Sequence, residues 1–183
     1  MGVTSKTPHN FMELSQINRT IAVLTTSIGL QKLRNEYVNL PRHKLTFMQI
    51  LDSCKKLGIT TNGLDINYWT TNIDSWKKII EDTYGIIKNF KWEEDIFDCD
   101  NRAGFVQHFV SLTAKFNTCA DAFVKITNII TGATDMHHPN LIIDNLGDLY
   151  IYDLDNSGLW QKITRNDFVM SNWRYHIESI RIG

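Results

Sequence analysis

The sequence is poor in several features at once. It holds three prolines and three cysteines in 183 residues, and no apolar run approaches the roughly 20 residues that a membrane-spanning helix needs. The cysteines, Cys54, Cys99 and Cys119, are odd in number and form no CxxC pair. That pattern argues against a disulfide framework and a thiolate zinc site. A surplus of one charge is missing too. Nineteen Lys and Arg stand against 20 Asp and Glu, for a formal net charge of −1. This balance argues against a binder of nucleic acid or of an anionic membrane held by bulk charge. The N-terminus has no signal-peptide core, and Lys6 stands where a myristoylation signal wants Ser or Thr. The expectation is a chain without membrane or nucleic-acid partners, cytoplasmic or carried within a virion. Its thiols should be reduced, and the sequon Asn18-Arg19-Thr20 an accident of composition.

What is present is enough apolar side chain for a core. Hydrophobic residues make up 43% and charged residues 21%, which excludes wholesale disorder. Residues 1–9 read as a polar arm. From Phe11 to about Val38 the apolar spacing suits an amphipathic helix. Thr46 can cap a second helix that closes at Gly58, and Asn72 or Asp74 can open a third that runs through Ile87. A fourth runs from Cys99 to about Phe116. It is apolar on two faces, Ala103–Val106–Val110–Ala114 and Phe105–Phe109–Leu112–Phe116, the pattern of a buried helix. The second half then changes period. Val124–Ile130, Asn140–Ile143, Leu149–Tyr152 and Tyr175–Ile182 read as strands, with a turn or short helix near Arg165–Val169. Helices followed by strands predict an α+β fold, with N-terminal helices and a central buried helix packed on an antiparallel sheet. The expected division is an arm and amphipathic helix over 1–45 and a single domain over 46–183.

Three residues form the candidate site. Cys99 stands at a predicted helix start, where the dipole and free N–H groups favour a thiolate, although Asp98 and Asp100 oppose it. The competing reading is an inert buried cysteine. His137 and His138 precede one strand, and Asp153 lies on the next. A two-residue Leu146-Gly147 loop would force Leu146 to positive φ, whereas Asn145-Leu146-Gly147 needs it only at Gly147. The longer loop pairs Asp144 with Asp148, so position 153 faces 139 and His137 lies diagonally beside Asp153 on the core face. His138 then points the other way, unless a bulge at Pro139 shifts the register. Cys99, His137 and Asp153 together supply a nucleophile, a base and its orienter.

That order resembles the transglutaminase-like branch of the papain-like cysteine fold. Phe97-Asp98-Cys99-Asp100-Asn101-Arg102-Ala103 is similar to the DCDxxA segment of its lectin-associated and phage-encoded members. His137-His138-Pro139-Asn140 is similar to their HAWN segment, and Gly147–Asp153 to the following G-x-x-Y-x-x-E/D strand. The likeness covers about residues 73–160. His138-Pro139 departs from the usual small-then-aromatic pair, and no oxyanion donor is assigned beyond the candidates Asn62, Asn67 and Asn72. The resemblance implies a cysteine-dependent amide hydrolase or acyl transferase with Cys99, His137 and Asp153 catalytic. Its substrate would be a protein or peptide, and no cofactor would be needed. The alternative is an inactive structural or interaction module of the same fold, a phage virion component, with a protein partner in an assembly.

Other signals carry less. Asp95, Asp98, Asp100 and Asp135 suggest calcium only weakly, since their spacing matches no EF-hand loop. His137, His138 and His108 lack any HExxH pattern for zinc. The tryptophans at 69, 76, 92, 160 and 173 read as core or rim rather than as a groove. Lys55-Lys56 and Lys77-Lys78 read as solvated helix faces.

Overall fold

Alternation at a period of two builds the large sheet of this chain. In the computed structural model, which describes residues 29–63, 65–87, 98–154 and 158–182, ten strands are assigned. The arm over 1–9, most of the helix expected from Phe11, Trp92 and Asp95 lie outside the described residues; 29–37 are helical. Two compact units divide the chain, Met1–Asn39 and Leu40–Gly183. Every strand and all three residues of the candidate site belong to the second unit.

Strand β1 (His43–Thr46) leads into helix α1 (Phe47–Lys56). Thr46 accepts from the Gln49 N–H and the Gln49 side chain accepts from the Thr46 N–H, a reciprocal cap. Gly58, at φ +75°, follows the helix end. Strands β2 (Thr60–Gly63) and β3 (Asn67–Thr70) precede α2 (Ile73–Ile87), whose first turn is capped by Asn72. Helix α3 (Cys99–Thr113) follows. The remainder is strand: β4 (Cys119–Asn128), β5 (Thr134–His137), β6 (Asn140–Ile143), β7 (Leu149–Asp153), β8 (Leu159–Lys162), β9 (Asp167–Met170) and β10 (Trp173–Ile182).

Among the described residues β1 pairs with β3 alone, while the large sheet runs β2-β10-β4-β6-β7-β8, with β5 added to β4 and β9 to β10. All its pairs are antiparallel except β2 with β10, which is parallel. Alternation gives each strand two faces. Ala120, Ala122, Val124, Leu141, Ile143, Leu149, Ile151, Tyr175 and Ile177 turn to one face and form the largest apolar cluster with Ile50 and Cys54 of α1. No residue of α2 or α3 belongs to that cluster.

The expected architecture is therefore corrected. The chain is strand-rich, its large sheet is mixed, and α3 is not a central helix. Ala103, Val106, Gln107, Phe109, Val110 and Thr113 bury a single stripe of α3, while Leu112 is 64% exposed. Of the second apolar face read from periodicity, Phe109 and Phe116 are buried as well, and Leu112 is the member left exposed among the described residues. The segment expected as a turn near Arg165–Val169 ends as strand β9, which pairs with β10.

The hairpin that positions the candidate site has the register its loop chemistry requires. Asn140 pairs with Tyr152 and Ile143 with Leu149. Gly147 takes φ +78°, and its N–H donates to Asp144 O at 3.0 Å. The Asp144 carboxylate accepts the N–H groups of Leu146 and Asp148, closing the loop.

Candidate functional site

Three elements deliver the predicted side chains. Cys99 opens α3, His137 ends β5 and Asp153 ends β7. His137 pairs with Val124, and Asp153 follows Ile151 by two residues, so both lie on the core face of the sheet. His137 Nε2–H donates to Asp153 Oδ1 at 3.0 Å, and both residues are buried. A carboxylate so placed needs partners on each oxygen. The second is the hydroxyl of Tyr175, from β10, which donates to Oδ2. Tyr175 is itself held by stacking on Phe168, with ring centroids 5.3 Å apart.

With Nε2 committed to Asp153, Nδ1 is the other ring nitrogen, and the Cys99 side chain lies near enough to the ring to make it more basic. Burial by itself makes an imidazole less basic. Here the Asp153 carboxylate and the Cys99 sulfur outweigh that effect and push His137 up to about 10. Cys54 and Cys119 differ in kind. Both are buried; burial pushes the Cys54 thiol up to about 11 and Cys119 higher still. Cys99 alone of the three is partly exposed.

The surroundings of Cys99 depart from expectation in one respect. Asp98 stands at the N-cap without a side-chain cap bond, because its carboxylate is engaged by Asp100 and Asn101. Hydrogen bonding between the two acids holds Asp98 below the usual carboxylate range and Asp100 above it. Helix α3 is tied to the sheet instead by Asn140, whose Nδ2 donates to Ala103 O at 3.0 Å.

An opening beside Cys99 is lined also by Arg102, His138, Asn140, Asp153 and Leu154. None of Asn62, Asn67 and Asn72 lines it; Asn72 is spent on its cap, and Asn62 and Asn67 lie in short strands. His138 is on the opposite sheet face from His137, with Nδ1 3.0 Å from Asp121 Oδ1. Sequence reading missed Tyr175, Asp121 and Arg181. A strand pattern assigns such residues to a face but cannot name their partners.

Among the described residues, no group of three or more His, Cys, Asp or Glu could hold a metal ion. His108 is turned to its own helix, Nδ1 lying 2.7 Å from Gly104 O. Asp135 is exposed on β5 and accepts the Met136 N–H. No described helix is long and apolar enough to cross a membrane. Trp76 is core, its indole N–H donating to Thr70 Oγ1 at 2.9 Å.

No family model and no curated protein matches the chain. Solved structures do. A complex of PSL1a with E64 matches at 16% identity and a TM-score of 0.53, covering 75% of this chain and 51% of that one. The lectin of Polyporus squamosus, bound to the human-type influenza-binding epitope Neu5Aca2-6Galb1-4GlcNAc, matches at 15% identity and a TM-score of 0.52, covering 75% of this chain and 49% of that one. The chain thus spans about half the length of these solved chains, and the likeness is one of fold. It overturns the resemblance drawn from short motifs. The fold neighbours are chains of a lectin and of PSL1a, and neither is named as a transglutaminase-like or papain-like cysteine protein. The amide hydrolase or acyl transferase inferred from that resemblance falls with it, and neither match supports the inactive virion module inferred beside it.

Proposed function

We propose that Cys99, His137 and Asp153 form a reactive-thiol site. Cys99 supplies the sulfur, His137 takes its proton at Nδ1, and Asp153 fixes the tautomer by accepting from Nε2. The observation that carries this reading is that a buried carboxylate holds a buried imidazole at 3.0 Å, and that the same carboxylate lines one opening with the partly exposed Cys99. The site is named for its reactivity towards electrophilic carbon, and no reaction class is taken from the short motifs.

The test is site-resolved alkylation of the folded chain by iodoacetamide. A C–S bond forms, the C–I bond breaks and iodide leaves. Cys99 is expected to label at least ten times faster than Cys54 and Cys119 at pH 7, and His137→Ala to slow it about tenfold. Equal labelling of Cys99 in the wild type and His137→Ala would overturn the reading. E64, present in the matched PSL1a structure, is a second probe, with an adduct expected on Cys99 alone.

A second reading, carbohydrate binding, is favoured by the fold shared with a lectin solved with Neu5Aca2-6Galb1-4GlcNAc. Its ligand would be a glycan rather than a protein. Calorimetric titration of the wild-type chain with that glycan tests it, and the absence of heat at millimolar ligand counts against it.

A further inference from the structure

Two consecutive histidines at the end of β5 each hold a carboxylate, and the site proposed above uses only the first. The second has a built environment of its own. His138 Nδ1 lies 3.0 Å from Asp121 Oδ1, and Arg181 Nη2 donates to Asp121 Oδ2 at 2.9 Å. Asp121 is buried. Phe123 packs against the imidazole with the ring planes 65° apart and the centroids 5.2 Å apart. An ionised carboxylate only accepts hydrogen bonds, so Nδ1 carries a ring proton, and in the neutral imidazole Nε2 then bears a lone pair. That ring lines the same opening as Cys99.

We infer that His138 is a ligand-contacting residue of the Cys99 site. Its Nε2 accepts a hydrogen bond from an N–H or O–H that the ligand carries close to its electrophilic atom. This inference rests on the reactive-thiol reading and deepens it by naming a feature of the ligand. The arrangement separates two tasks. His137 serves the sulfur, while His138, on the other sheet face, holds the ligand in a tautomer fixed by Asp121 and braced through Arg181 and Phe123.

The experiment compares two alkylating agents with the same leaving group. Iodoacetamide has an amide N–H, and N,N-dimethyl-2-iodoacetamide has none. Rates at Cys99 are divided by the rates with free glutathione, which removes the intrinsic difference between reagents. His138→Ala is expected to slow iodoacetamide at least fivefold and to leave the dimethyl reagent within twofold. His138→Gln places an amide oxygen near the former Nε2 and should restore most of the loss. Three results would overturn the inference: no change with iodoacetamide, an equal loss with both reagents, or a gain confined to the dimethyl reagent, which would mark simple relief of crowding. Failure of the wild type to label selectively at Cys99 would instead count against the reactive-thiol reading, so the two failures are distinguishable.

Discussion

Tyr175 donates its hydroxyl to Asp153, the carboxylate whose other oxygen holds His137. Three strands thereby meet on one buried group, and the orientation of His137 depends on a residue 22 positions beyond Asp153. Tyr175→Phe removes the donor and keeps the ring stacked on Phe168. The variant should lose about 1–3 kcal/mol, the penalty for a buried acceptor left short of a partner. Cys99 labelling should slow a few-fold. Urea unfolding and iodoacetamide kinetics measure the two effects separately, and an unchanged stability would mean that Asp153 finds another donor.

The elevated basicity of His137 makes stability depend on pH. Its folded value is about 10, above the ordinary 6.5. Burial opposes the proton, and Asp153 and Cys99 together more than offset that effect. A group raised in this way contributes stability fully below about pH 6.5 and loses it as pH rises through about 10. The urea midpoint of the wild type should therefore fall between pH 7 and pH 10 more steeply than that of His137→Gln. Parallel profiles would exclude a protonated His137 in the folded chain.

Val106 sits on the buried stripe of α3 with 2% of its surface exposed. An aspartate there leaves an unpaired charge in apolar surroundings. The cost is several kcal/mol against a total stability of roughly 5–15 kcal/mol. Val106→Asp should unfold the chain at room temperature by circular dichroism. Leu112→Asp, on the exposed side of the same helix, should change stability by less than about 0.5 kcal/mol.

Gly147 closes the β6–β7 hairpin at φ +78°, and an added Cβ would come 3.0 Å from Ser53 Oγ. The left-handed conformation costs a residue with a Cβ about 1–2 kcal/mol. Gly147→Ala should lower stability by that amount and leave Cys99 labelling within twofold, because Leu141–Ile151 pairing still fixes the register. A large loss of labelling would show that the loop, and not the core face, sets the position of Asp153.

The sequence is most legible where local chemistry decides. A loop that tolerates positive φ only at glycine sets the 140–153 register, and that register puts His137 beside Asp153. Capping by Thr46 and Asn72 is legible for the same reason. Long-range pairing is not. Thr60–Gly63 is four residues without an apolar pattern, yet it becomes a strand because β10 offers it a parallel edge. Leu112 shows the limit of periodicity, since an apolar spacing does not say what lies opposite. Short motifs such as Asp98-Cys99-Asp100 record helix-start chemistry, and they suggested a family that the matched structures do not bear out.

The burial of Cys54 and Cys119 makes the folded chain, in effect, a single-thiol protein at its described cysteines. Unfolding releases the other two. The stoichiometry of a chromogenic thiol reagent should then step from one to three per chain, and because each step is an integer it counts molecules opened rather than bonds weakened. A spectroscopic label can likewise be attached at Cys99 without replacing any residue, so that the chain carries its own reporter at the mouth of the opening.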